Sequence, residues 1–130
     1  MMIKKLFIAC DTNKTSFAKK IIQNTNTNKL RIGYKFGLEF INSKNGRSFI
    51  SKIKKKLIFV DLKLHDIPNT CASAIKAVKD LDINYLTIHI SSGLEALKAA
   101  KKVSGKINLV GVTTLTSLDN YSLKQISYDK

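Results

Sequence analysis

The chain has 130 residues, 44% hydrophobic and 25% charged, enough for one modest domain with a real core. No apolar run approaches the ~20 residues of a membrane-spanning helix. The formal charge of +14 is carried almost wholly by dispersed lysines, with Arg31 and Arg47 the two arginines and Lys54, Lys55 and Lys56 one short cluster. Phosphate-clamping and base-reading surfaces favour the planar fork of Arg, so this charge reads as solvated helix faces and predicts no specific nucleic-acid site. A general attraction to polyanions still follows from it.

The opening "MMIKKLFIACD" places basic residues before an apolar stretch. That stretch is only Leu6 to Cys10, and Asp11 follows at once, too short for a secretory signal. It reads as a first strand in a cytoplasmic protein. Residues 14–23 space Phe17, Ile21 and Ile22 for a helix face. "TNTN" is a polar turn, and "KLRIGYKF" is a second strand closed by Gly37. Residues 38–55 read as helix interrupted at "SKNGRS", where Asn45-Gly46 marks a turn. "KLIFVDLK" is the third strand. Pro68 fits the first turn of a helix that continues through "CASAIKAVKDL". "INYLTIHI" is the fourth strand, and "SGLEALKAAKKV" a helix closed by Ser104-Gly105. "INLVGVTTL" is the fifth strand, and "SLDNYSLKQI" starts a further helix that the chain's last residues continue.

Strand and helix therefore alternate, and several strands are apolar throughout, as in a parallel sheet covered on both faces. Two α/β architectures fit: a complete five-stranded doubly wound sheet, or part of a (β/α)8 barrel, a fold of at least about 200 residues. The polar residues favour the barrel. Asp11 follows strand one, Lys35 closes strand two, Asp61 and Lys63 strand three, His89 strand four, Thr113 and Thr116 strand five. In a barrel those ends converge on one mouth, where active sites are built.

Side chains alternate along a strand, so Asp61 and Lys63 face one way and Leu62 the other. Lys35 enters from the neighbouring strand at similar height, and Asp66 lies in the loop before Pro68. At an effective dielectric of about 20, unit charges about 4 Å apart interact by roughly 4 kcal/mol, enough for interleaved acids and lysines to hold one another ionised. A catalytic reading expects them to share a dry cavity. A structural ion-pair network has the same spacing, and spacing alone leaves both open. Cys10 and Cys71 are too few and too far apart for a disulfide framework or a metal site. Cys10 reads as core, and Cys71 sits near a helix N-terminus, where a thiol can gain reactivity.

At these residues the sequence resembles the orotidine 5'-phosphate decarboxylase family, whose D-x-K-x-x-D-I-P-N-T segment stands complete as "DLKLHDIPNT". D-x-K-x-x-D alone is shared with related barrel enzymes acting on sugar phosphates, and "IPNT" makes the match specific. "IACD", "YKFG" and "GVTTLTS" resemble the family's first, second and fifth strand segments. One departure is "HISSG", where Ile90 and Ser91 stand in place of small residues.

The resemblance implies the N-terminal portion, about five βα units, of a TIM (β/α)8 barrel, a single incomplete domain over residues 1–130 that ends after strand five. It implies a carboxy-lyase of pyrimidine biosynthesis that converts orotidine monophosphate to UMP and CO2 with no metal and no organic cofactor. Lys63 would stabilise charge at the pyrimidine C6 and protonate it, Asp61 would face the departing carboxylate, and Lys35 would bridge Asp61 and the ribose. Asp11 would bind ribose, and Thr116 and Ser117 would border the base. Asp66 and Thr70 would reach into a partner's site, making a homodimer. His65 is expected at a surface or dimer contact, His89 as a hydrogen-bonded support, and Asn69 as part of the helix start. The family grips the substrate phosphate from later strands, so negligible turnover is expected from these 130 residues alone. Two other functions fit the pattern: a sugar-phosphate decarboxylase or aldolase of the same superfamily, and a non-catalytic basic module that binds nucleotides or RNA.

Overall fold

The computed structural model describes residues 5–126. Five strands alternate with helices: β1 (Lys5–Ala9), α1 (Thr15–Asn24), β2 (Arg31–Gly37), α2 (Leu38–Asn42), α3 (Gly46–Lys52), β3 (Leu57–Leu64), α4 (Pro68–Ala77), β4 (Tyr85–His89), α5 (Leu94–Ser104), β5 (Asn108–Val112) and α6 (Asn120–Ile126). The interruption expected near Asn45-Gly46 is the break between α2 and α3. Gly46 is obligatory there, because a Cβ would lie 1.7 Å from the Phe40 carbonyl oxygen. No described helix is long and apolar enough to cross a membrane.

All four strand pairings are parallel, and the sheet order is β1-β2-β3-β4-β5. This order decides between the two architectures. A flavodoxin-like sheet winds outward both ways from β1, placing that strand in the interior. Here β1 is an edge and each strand lies beside its predecessor, the order of a barrel wall. The order fits the barrel expected from the sequence and not the five-stranded doubly wound alternative.

The two faces of the sheet differ sharply. Ile32, Tyr34, Phe36, Ile58, Val60, Leu86 and Ile88 are buried together with helix residues such as Ala18, Ile50, Ile75 and Ala100. Each large side chain so buried contributes roughly 1.5–3 kcal/mol. Tyr34 keeps its hydroxyl satisfied by Thr25 Oγ1 at 2.9 Å and by donating to the Ile22 carbonyl.

On the opposite face, Phe7, Phe59 and Tyr85 form an aromatic floor with edge-on and tilted contacts 5.2–5.9 Å between ring centres. Gly33 makes room for it, since a Cβ there would come within 2.4 Å of the Phe7 ring. Asp61 and Thr87 lie two residues beyond Phe59 and Tyr85, toward the C-terminal ends of β3 and β4.

Some boundaries differ from the sequence reading. The helix expected to reach Leu81 ends at Ala77 and gives way to a 3-10 turn, Lys79–Leu81, followed by left-handed Asp82. Arg47 reaches across to this segment, donating to the Ala77 carbonyl and to Asp80 at 2.9 Å. β5 ends at Val112 opposite His89, where β4 itself ends, and so stops short of Leu115. The helical continuation expected beyond Ile126 lies outside the described residues.

Candidate active site

On the face of the aromatic floor, Asp61 and Thr87 stand two residues beyond Phe59 and Tyr85, and Lys35 lies level with Phe59 on the neighbouring strand. The register aligns Lys35 with Phe59, and Gly37 with Asp61. Asp61 is the hub. Its Oδ2 receives Lys63 Nζ at 2.9 Å and Lys35 Nζ at 3.3 Å, and its Oδ1 accepts from Thr87 Oγ1 at 2.9 Å. Burial pushes the Asp61 carboxyl up. Hydrogen bonds from Lys63 and Thr87, the Lys63 charge and a hydrogen bond from Lys35 outweigh burial and hold it below the ordinary 3.8.

Asp61 and Lys63 do share a face, while Leu62 and Leu64 pack on the core, as alternation requires. The strand is not regular there. Between Val60 and Leu64 of β3 the partner β4 advances only from Leu86 to Ile88, so the ladder slips. Lys63 takes up the slip with φ +47°, a left-handed conformation that costs a non-glycine residue about 1–3 kcal/mol and that concentrates at functional sites. Its N–H is received by Thr87 Oγ1 at 2.8 Å. Sequence reading missed Thr87. The available signal was its place two residues before His89, which puts it on the same strand face.

The expected dry cavity is corrected. The Asp61 side chain is 11% exposed, but those of Lys35 and Lys63 are 32% and 40% exposed. Among the described residues β1 and β5 are edges of the sheet, and both lysine side chains are open to solvent.

The remaining candidate residues lie around this cluster. Asp11 is exposed, just past Cys10, whose N–H donates to the Lys35 carbonyl at 2.8 Å. Asp66 does not join the cluster. It is exposed, and its Oδ1 accepts from the Ile67 N–H at 2.7 Å. Thr70 is exposed in the first turn of α4, whose start is set by Pro68. Thr116 and Ser117 are exposed in the turn between β5 and α6. The structure thus brings Lys35, Asp61 and Lys63 together and leaves Asp11, Asp66, Thr70, Thr116 and Ser117 around them without direct contact to Asp61.

The His89 and His65 rings meet at a tilt of 32° with centres 4.9 Å apart, and the two with Thr113 line a recess of about 210 Å³. Burial, then the neighbouring His65 and Lys63 charges, pull the His89 imidazole below its ordinary 6.5. The hydroxyl contact of this pair is made by His65, with Ser91 Oγ at 3.4 Å. "HISSG" forms a 3-10 turn, Ile90–Ser92, with Ile90 resting on Gly111. Cys71, near the start of α4, is fully buried, and its thiol donates to the Asp66 carbonyl at 3.2 Å. Among the described residues no group of three or more His, Cys, Asp or Glu could hold a metal ion.

Comparison with known proteins gives a consistent result. The sequence profile of the "Orotidine 5'-phosphate decarboxylase / HUMPS family" matches residues 4–130. The orotidine 5'-phosphate decarboxylase of the Wolbachia strain of Brugia malayi is 40% identical over 126 residues, covering 93% of this chain and 54% of that protein. The same-named protein of Sphingopyxis alaskensis is 40% identical over 128 residues, covering 96% and 56%. The crystal structure of the Lactobacillus acidophilus orotidine 5'-phosphate decarboxylase superposes with a TM-score of 0.83 at 29% identity, covering 95% of this chain and 60% of that one. The chain thus spans about half the length of the curated relatives it matches.

Proposed function

The chain belongs to the orotidine 5'-phosphate decarboxylase / HUMPS family, and from that premise we propose that it carries the lysine and carboxylate part of an orotidine 5'-phosphate decarboxylase. Such an enzyme is a carboxy-lyase that converts orotidine monophosphate to UMP and CO2. The observation that carries this reading is the convergence of Lys35 and Lys63 on one oxygen of Asp61, inside a complete "DLKLHDIPNT". The two relatives at 40% identity favour the nucleotide over a sugar phosphate as substrate.

In the proposed reaction the bond from C6 to the carboxylate breaks, CO2 departs, and the electron pair stays on C6. The Lys63 ammonium faces that charge and then gives C6 a proton, which solvent restores to the amine. Asp61 orients Lys63 and faces the departing carboxylate. Lys35 links Asp61 to the ribose, Asp11 holds the ribose hydroxyls, and Thr116 and Ser117 border the base. No metal or organic cofactor enters the scheme.

Remote phosphate contacts raise kcat as well as affinity in such chemistry, and the residues assigned here all surround base and ribose. Turnover is therefore expected to be slight, and binding is the primary readout. Titration of the chain with UMP, followed by amide NMR, should move Lys35, Asp61 and Lys63. Release of labelled CO2 from carboxyl-labelled orotidine monophosphate, where detectable, should vanish in Lys63→Ala. A UMP response confined elsewhere, or release that survives Lys63→Ala, overturns the assignment.

The same proposal includes a cytoplasmic homodimer in which Asp66 and Thr70 reach a partner's site. Ile67 and Leu94, at the starts of the packed helices α4 and α5, support it, being 66% and 65% exposed. Sedimentation should show dimers that Ile67→Glu dissociates. A monomeric parent chain at high concentration counts against it.

A further inference from the structure

We infer that Thr87 is a positioning residue that sets the Lys63 backbone and the Asp61 carboxylate together. Its catalytic meaning rests on the decarboxylase reading above, whereas its action on geometry stands on local contacts alone. Where the β3–β4 ladder slips, the Lys63 N–H is met by Thr87 Oγ1 at 2.8 Å, a side chain standing in for a strand carbonyl. The same hydroxyl donates to Asp61 Oδ1 at 2.9 Å.

A hydroxyl has one proton. With that proton on the carboxylate, its lone pairs are left for Lys63, so each bond fixes the direction of the other. Thr87 is 5% exposed, which keeps water from replacing either partner. Its branched Cβ restricts χ1 and holds the oxygen on this bearing. With Oδ1 tied down, Oδ2 is the oxygen presented to both lysines. The left-handed turn at Lys63 then aims its amine back at Asp61.

The test compares Thr87→Val, which keeps the shape and removes the hydroxyl, with Thr87→Ser, which keeps the hydroxyl. In Thr87→Val the Lys63 amide should exchange with deuterium about three- to tenfold faster, the range of one ordinary hydrogen bond. The Asp61 carboxyl, followed by carbon NMR, should titrate at a higher pH than in the parent, and Thr87→Ser should restore both. Parent-like exchange and titration in Thr87→Val overturn the inference.

Should Thr87→Val not fold, the parent chain supplies the test. Its Thr87 hydroxyl proton should be visible in slow exchange, close to the Lys63 amide, and should be lost as Asp61 is protonated. A hydroxyl proton that ignores Asp61 titration overturns the inference equally. These readouts need no turnover, so they remain decisive if the substrate assignment fails. Where turnover is measurable, Thr87→Val should lower kcat with little change in KM, and Thr87→Ser should recover it.

Discussion

Lys63 donates to Asp61 Oδ2 at 2.9 Å from a backbone held at φ +47°. The ion pair and the strained conformation are therefore one feature, and substitution can separate them. Lys63→Ala loses the amine and keeps the strain. Lys63→Gly loses the amine but adopts positive φ freely. Urea denaturation should find Lys63→Gly more stable than Lys63→Ala by about 1 kcal/mol. Equal stabilities would mean that the backbone at this position is relaxed.

Asp61 should make stability fall in acid. Its folded pKa lies below the ordinary 3.8. Its contribution is therefore fully present above the unfolded value and is lost as pH falls through the lower folded value. Asp61→Asn removes that acid-labile component and leaves Lys35 and Lys63 facing each other. A loss of about 1–2 kcal/mol at neutral pH is expected, discounted because the two lysines are 32% and 40% exposed. Denaturation of parent and variant at neutral pH and near pH 3 checks this, since the difference should shrink in acid.

Gly33→Ala should destabilise the fold by about 1–3 kcal/mol, the usual cost of overpacking. The new methyl would meet the Phe7 ring at 2.4 Å and Leu57 Cβ at 2.9 Å. Phe7→Leu in the same chain should recover part of the loss, as a calorimetric double-mutant cycle would show. Strict additivity of the two changes would contradict the close approach of Gly33 and Phe7.

Cys10 should resist thiol reagents in the folded chain. Burial, followed by the charge of Asp11, raises its pKa from 9.0 to about 11. The unfolded chain ionises first, so this thiol's contribution to stability is intact below about pH 9 and is lost as pH rises through about 11. Labelling at pH 8 should proceed only on unfolding, for Cys71 as well because it too is buried.

The parts of this fold that were legible in the sequence are those that local chemistry decides. Asn45-Gly46 marked the break between α2 and α3, Pro68 marked the start of α4, and apolar runs located all five strands. Asp61, Lys63 and Lys35 could be placed together because strand alternation and adjacency are simple rules. What stayed hidden depends on pairing between distant segments. Thr87 matters through the slip between β3 and β4, which no spacing within either strand reveals. The end of β5 at Val112 is set by where its neighbour stops, and the shortened α4 by a segment that Arg47 contacts from α3. Asp66 looked like a member of the charge cluster from spacing, but the chain leaves the strand before it, and its carboxylate turns to the Ile67 N–H.

The sheet order has a consequence for synthesis. Because spatial sequence and chain sequence coincide, each strand after β1 emerges from a ribosome with one neighbour already made. Growth is by accretion at one moving margin, which shortens the time that margin is left bare to pair with a stranger.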